Sequence, residues 1–251
     1  MLDKLSLLKD LKPIGARAKF GVIIPPSNTV NEAEFNGVAP EGISFHFTRA
    51  PLHSNPAADG FKEMLDDVGK AMNDLVACNV DFATYACTAG SMSCPSELLL
   101  NALSNNNQIR SNTTAQAIVA AIQQLGAKKI TLASPYTQQT NAHEVSYLES
   151  YGIDVLAAAG LDLNTSLKNI QKISRVAPME VFNHVKKVDQ TDAQLILICC
   201  TDFNTFDVID LLELELGKPV ISSNSATLWH TLRNFGLNDK LPSLGTLLRD
   251  H

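Results

Sequence analysis

The chain has 251 residues, 45% of them apolar and 18% charged, an ordinary soluble composition that can bury one large core or two small lobes. A net charge of −6 with no basic run excludes a general nucleic-acid surface, and no segment reaches the apolar length of a membrane span. Five cysteines without CxxC spacing fit free thiols in a reducing compartment, so a cytoplasmic location is expected.

Residues 1 to 16 are mixed in character, carry Pro13 and Gly15, and read as a short arm or helix without a signal-peptide pattern. Lys19 to Ile24 is continuously apolar rather than alternating, as a strand buried on both faces requires. It stops at Pro25-Pro26, and Ser27-Asn28-Thr29 then open a helix carrying Glu32 and Glu34. Side-chain oxygens there cap free N–H groups, and that helix end attracts anions. Gly42 to Thr48 reads as a second strand with Arg49 just past it, placed for a surface ion pair. The spacing of Phe61, Met64, Leu65 and Val68 predicts a helix over Pro56 to Ala77. A third strand from Asp81 ends in Cys87-Thr88-Ala89-Gly90-Ser91. A helix over Pro95 to Leu103, a short strand over Ile109 to Asn112 and a helix over Thr114 to Leu125 complete the first half, with Asn112 read as a helix cap.

The chain then starts again. Strand Lys128 to Ser134 ends at Pro135, 110 residues after Pro25, and Gly152-Ile153 lies 110 residues after Gly42-Ile43. Cys200-Thr201 follows Cys87-Thr88 by 113 residues, and Ser223-Asn224 follows Ser111-Asn112 by 112. Four landmarks in one order at nearly one offset indicate duplicated α/β units with parallel sheets and right-handed crossovers. Two similar lobes are expected, 1–114 completed by 219–251, and 115–218. The carboxyl ends of parallel strands are where ligands sit, so the two Cys-Thr turns should face one cleft.

Two such thiols serve two related reactions. One removes a proton next to a carboxylate while the other returns it to the opposite face, or a thiolate adds to an activated double bond, lets it rotate and leaves. Both pass through an enediolate-like species that fixed donors must hold. Backbone N–H groups of the turn after each cysteine, with Thr88 and Thr201 beside them, are placed to lower the thiol pKa. Asn28 and the Ser27-to-Thr29 turn are candidate substrate donors. Cys199 should face the packed side of its strand, and Cys78 and Cys94 read as structural. The Glu213-to-Glu215 segment reads as a solvated helix face. The six histidines show no metal-ligand spacing, and no phosphate loop is present.

Pro26-Ser27-Asn28-Thr29, Tyr85 to Ser91, Ser134-Pro135-Tyr136, the Cys200-Thr201 turn and Gly217 to Asn224 together resemble the aspartate/glutamate racemase superfamily. The chain is most similar to its maleate cis-trans isomerase and arylmalonate decarboxylase branch, from Phe20 to about Leu232. The resemblance implies two flavodoxin-like lobes about a pseudo-twofold axis, an active site in the cleft between them, and neither metal nor organic cofactor. It implies Cys87 as nucleophile and Cys200 as its proton-handling partner, and it adds Tyr136 and Asn164 to Ser27, Asn28, Thr88 and Thr201 as substrate-binding residues. The Asp202-Phe203-Asn204 sequel departs from the family pattern and alters the cleft wall. The expected function is isomerisation of maleate to fumarate by a homodimer acting on a small carboxylate. The alternatives are a two-cysteine racemase of an amino acid or hydantoin, and a non-catalytic binding protein with the same cleft.

Overall fold

The structure, a computed structural model, describes residues 12–53, 55–104 and 109–251, so most of the expected leading arm or helix lies outside the described residues. Strands β1 (Ala18–Ile24), β2 (Ile43–Arg49), β3 (Phe82–Tyr85) and β4 (Arg110–Thr113) form a parallel sheet in the order β2-β1-β3-β4. Strands β5 (Lys129–Ala133), β6 (Asp154–Ala159), β7 (Leu195–Ile198) and β8 (Val220–Ser222) form a second, in the order β6-β5-β7-β8. Each strand of the second sheet takes the place of the strand four before it, as the sequence offsets require.

Burial explains the apolar runs. Phe20, Val22 and Ile24 enter a core that also holds Ile130, Leu132, Leu195 and Leu197. Ile23 points the other way, toward Met64, Val68, Met72 and Leu75 of helix α2 (Lys62–Ala77). A strand buried on both faces has no polar side to alternate with. The helix expected over Pro56 to Ala77 is broken: a 3-10 turn spans Pro56–Asp59, and Gly60 and Phe61 are both left-handed (φ 69°) before α2 begins. Apolar spacing was preserved across the break, but Gly60 ends the first turn in the conformation only glycine adopts freely.

The remaining described helices are α1 (Asn31–Gly37), α3 (Thr88–Ser93), α4 (Ser96–Ser104), α5 (Thr114–Gln124), α6 (Gln138–Glu149), α7 (Leu167–Ile170), α8 (Pro178–Val188), α9 (Phe206–Leu216), α10 (Ser223–Phe235) and α11 (Gly245–Asp250). The equivalent helices α5 and α10 pack on each other, joined by the Thr114 and Thr227 hydroxyls at 2.9 Å. The far end of α10 reaches the first sheet, where Thr231 Oγ1 lies 2.9 Å from Thr84 Oγ1 and Phe235 meets Phe20 edge-on at 5.3 Å. The expected division at 219 needs one correction: β8 pairs with β7, so it belongs to the second sheet although the helix after it packs on the first.

Two side chains read as surface or cap do other work. Glu213 is nearly buried and accepts from the N–H groups of Val220 and Thr246, fastening α11 to α9, while Leu214 and Glu215 of the same segment are exposed as expected. Asn112 caps nothing; Thr113 forms the capping box of α5, and Asn112 bonds Thr84 and His230. Arg49 does form the expected ion pair, with Glu32 at 3.3 Å.

The halves are tied by buried polar bonds. Glu34 of α1 accepts from the N–H groups of Thr205 (2.6 Å) and Phe206 (2.8 Å), capping α9 of the other half. Its second oxygen accepts from Asn224 Nδ2 at 2.5 Å, and Asn31 Nδ2 donates to Asn224 Oδ1 at 2.6 Å.

Candidate active site

Cys87 and Cys200 occupy equivalent places, each two residues beyond the last residue of β3 or β7. Cys87 is the extended residue that starts α3, so the first free N–H groups of that helix point back at its sulfur. The Gly90 N–H and the Tyr85 hydroxyl both reach the thiol. A Cβ on Gly90 would stand 2.7 Å from Tyr85 Oη and 3.0 Å from Cys87 Sγ, so glycine is required for this approach. No helix starts directly after Cys200. Its backbone is instead left-handed (φ 118°), a conformation costing about 1–3 kcal/mol that its surroundings must impose. Ser223 Oγ accepts its N–H at 3.0 Å, the Asp202 N–H reaches its sulfur at 3.4 Å, and the Tyr136 hydroxyl bonds the same sulfur.

Three contacts bring the two turns face to face. Thr201 Oγ1 donates to the carbonyl of Ala86 (3.1 Å), Thr88 Oγ1 donates to Ser223 Oγ (2.8 Å), and Asn28 Nδ2 donates to Thr201 Oγ1 (3.1 Å). Asn28 is fully buried, and its Oδ1 accepts from Val30 and Asn31. It therefore caps α1 and bridges the halves with one side chain. Ser27 is half-buried just before it. Asn164 does not join this group. It accepts from the Thr137 N–H (2.7 Å) and donates to Thr140 Oγ1 (2.8 Å), so it holds the loop that presents Tyr136. Gly160 completes that loop, because a Cβ there would lie 1.8 Å from the Tyr136 carbonyl oxygen.

The donors expected to lower the thiols are present, yet burial outweighs them. Desolvation raises Cys87 despite Gly90 and Tyr85, and raises Cys200, where the Asp202 carboxyl adds to the effect. Asp202 itself is raised by burial to about 6, with the Thr29 and Val30 N–H groups pulling it back. Its Oδ1 takes the Thr29 N–H at 2.8 Å, so part of the Ser27-to-Thr29 turn expected to hold substrate charge is in use. Cys199 is fully buried, and its thiol meets Glu144 and Ser223. Among the described residues no group of three metal-ligating side chains occurs, and no helix is long and apolar enough to cross a membrane.

Sequence reasoning missed Tyr85, Ser223 and Glu144 as parts of this site. Tyr85 and Ser223 stand inside stretches singled out for other residues, so position alone pointed to them. Glu144 lies on a largely polar helix and gave no signal.

The family model described as arylmalonate decarboxylase matches residues 20–248. Maleate isomerase of Geobacillus stearothermophilus is 27% identical over 248 residues, covering 92% of this chain and 96% of that one. Maleate isomerase of Alcaligenes faecalis is 26% identical over 249 residues, with the same coverage. Among solved structures, maleate isomerase of Pseudomonas putida S16 superposes with a TM-score of 0.81 at 27% identity, covering 93% of this chain and 98% of that one. Unliganded arylmalonate decarboxylase shares the fold, with a TM-score of 0.80 at 21% identity over 93% of this chain and 100% of the other.

Proposed function

The chain belongs to the arylmalonate decarboxylase family, and from that premise we propose that it is a cis-trans isomerase converting maleate to fumarate with two cysteines. The observation that carries the reading is the facing pair of Cys-Thr turns, cross-tied by Thr201 to Ala86 and by Thr88 through Ser223 to the Cys200 N–H. Relatives named maleate isomerase at 27% and 26% identity, over nearly their full length, support the substrate.

In the proposed mechanism the Cys87 thiolate adds to one alkene carbon. The double-bond electrons move onto the adjacent carboxylate as an enediolate, and the new single bond rotates. Expulsion of the thiolate restores the double bond in the trans form, so no atom is gained or lost. Cys200 keeps its proton, because burial and then the Asp202 carboxyl beside it oppose a thiolate, and shares that proton with the enediolate. Tyr136 orients Cys200, and Thr88, Thr201 and Asn28 hold the two turns at working distance. Asn164 serves by fixing the Tyr136 loop. The enzyme needs no metal or organic cofactor in this scheme and acts as a cytoplasmic homodimer on a small dicarboxylate.

Proton NMR of the purified protein with maleate in deuterated buffer tests the reading, with aspartate run alongside. Fumarate appearing without added cofactor is the expected result. Deuterium entering the α-position of aspartate instead assigns a racemase, and silence from both substrates refutes the isomerase.

A further inference from the structure

Glu144 is fully buried on α6, one turn after Asn141, whose Oδ1 accepts from Ser134 Oγ at 2.6 Å. Neither carboxyl oxygen has a nitrogen or oxygen partner, and the polar group it meets is the Cys199 thiol. The mechanism above makes no use of it. A carboxyl held in a core without a compensating donor is costly, and a purely structural position would be filled by an apolar side chain at less cost. Its surroundings indicate what it does instead. Helix α6 packs on α3, the helix that begins at Cys87, and the thiols of Cys87, Cys199 and Cys200 and the hydroxyl of Tyr136 all lie within its electrostatic reach.

We propose that Glu144 is a buried acid whose charge state adjusts, on top of the larger effect of burial, how readily Cys87 and Cys200 form a thiolate. Neutral, it leaves the thiols opposed by burial, with Asp202 adding at Cys200; ionised, it brings a negative charge within reach of both sulfurs and opposes a second one. It touches no substrate in this role and acts through the cysteines. The other groups facing the two thiols are Tyr85 and the Gly90 N–H at Cys87, and Tyr136, Asp202 and the Asp202 N–H at Cys200. None is a cation, and among the described residues burial and the Cys199 thiol are the influences on Glu144 itself. Burial raises its carboxyl to about 8, which keeps it neutral at physiological pH. The inference rests on the two-thiol reading of the site but not on which acid is turned over.

The test is a pH titration of the full chain carrying [13Cβ]cysteine, followed by NMR, with each resonance assigned by a Cys→Ser variant. In Glu144→Gln the Cys87 midpoint should fall by about one pH unit, a tenfold loss of proton affinity, as expected when a nearby like charge is removed. Glu144→Met, equally neutral and better suited to an apolar core, should lower Cys87 in the same way. An unchanged Cys87 midpoint in either folded variant overturns the proposal. Chain labelled with [13Cδ]glutamate gives a second readout: burial should place the Glu144 resonance, assigned by its loss in Glu144→Gln, at a midpoint above about 6, and an ordinary carboxylate midpoint for that resonance overturns the proposal. A lowered Cys87 midpoint without fumarate from maleate would sink the isomerase reading and keep this one; fumarate with an unmoved midpoint would do the reverse.

Discussion

Replacing Glu34 by Gln probes the bond between the two halves and has a sign that depends on pH. The Glu34 oxygen facing α9 accepts from the N–H groups of Thr205 and Phe206, and Gln keeps an acceptor there. The other oxygen becomes an amide nitrogen facing Asn224 Nδ2, which already donates to it and to the Thr201 carbonyl. Turning Asn224 round would break its bonds to Thr201 and Asn31, so one buried donor loses its acceptor, at about 1–3 kcal/mol. Against this stands the cost of the wild-type charge. Burial raises the Glu34 carboxyl from 4.5 to about 7. The folded state then holds a proton that the unfolded chain has released, so stability falls as pH rises from about 4.5 to 7. At about 1.4 kcal/mol per pH unit the full loss is roughly 3 kcal/mol, and Gln does not suffer it. Urea unfolding at about pH 5 should therefore show the variant less stable than wild type, with the gap closing or reversing by about pH 8. The change of roughly 2–3 kcal/mol corresponds to about 5–10 °C in melting temperature for a chain of this size. A gap that stays constant between those pH values would refute the reasoning, because it would mean that the donors around Glu34 keep it ionised throughout.

Cys87→Ser and Cys200→Ser should each lower kcat for maleate by about a thousandfold or more with the circular-dichroism spectrum unchanged, while Cys199→Ala retains most turnover. Normal activity in Cys87→Ser would remove the nucleophile. Gly90→Ala places a methyl group 2.7 Å from Tyr85 Oη and 3.0 Å from Cys87 Sγ; kcat should fall by about tenfold or more, since small misplacements of a reacting group are expensive. A wild-type rate in that variant would show that the sulfur need not sit where it does. Asp202→Asn keeps an acceptor for the Thr29 N–H but removes the charge that adds to burial in raising Cys200. Its Cys200 thiol should ionise at lower pH, read by the pH dependence of alkylation mapped by mass spectrometry, and an unchanged profile would show that burial alone sets that thiol.

Much of the molecule follows from chain-local chemistry. A continuous apolar run ending in proline marked β1, because a strand buried on both faces admits no polar alternation, and short β-prone runs ending in small polar residues or proline marked β3, β5 and β7. The repeated Cys-Thr turns place Cys87 and Cys200 at equivalent strand ends, since duplication preserves spacing. What local pattern does not contain is pairing between distant groups. Glu34 capping a helix of the other half, Asn28 joined to Thr201, and Ser223 gathering Thr88 and the Cys200 N–H are contacts between residues far apart in the chain. Only the packing of the two sheets brings them together. The same holds for ionisation. Sequence supplies the N–H donors that lower a thiol, but burial is a property of the whole fold, and here it outweighs those donors at both cysteines and raises Glu34, Glu144 and Asp202 as well.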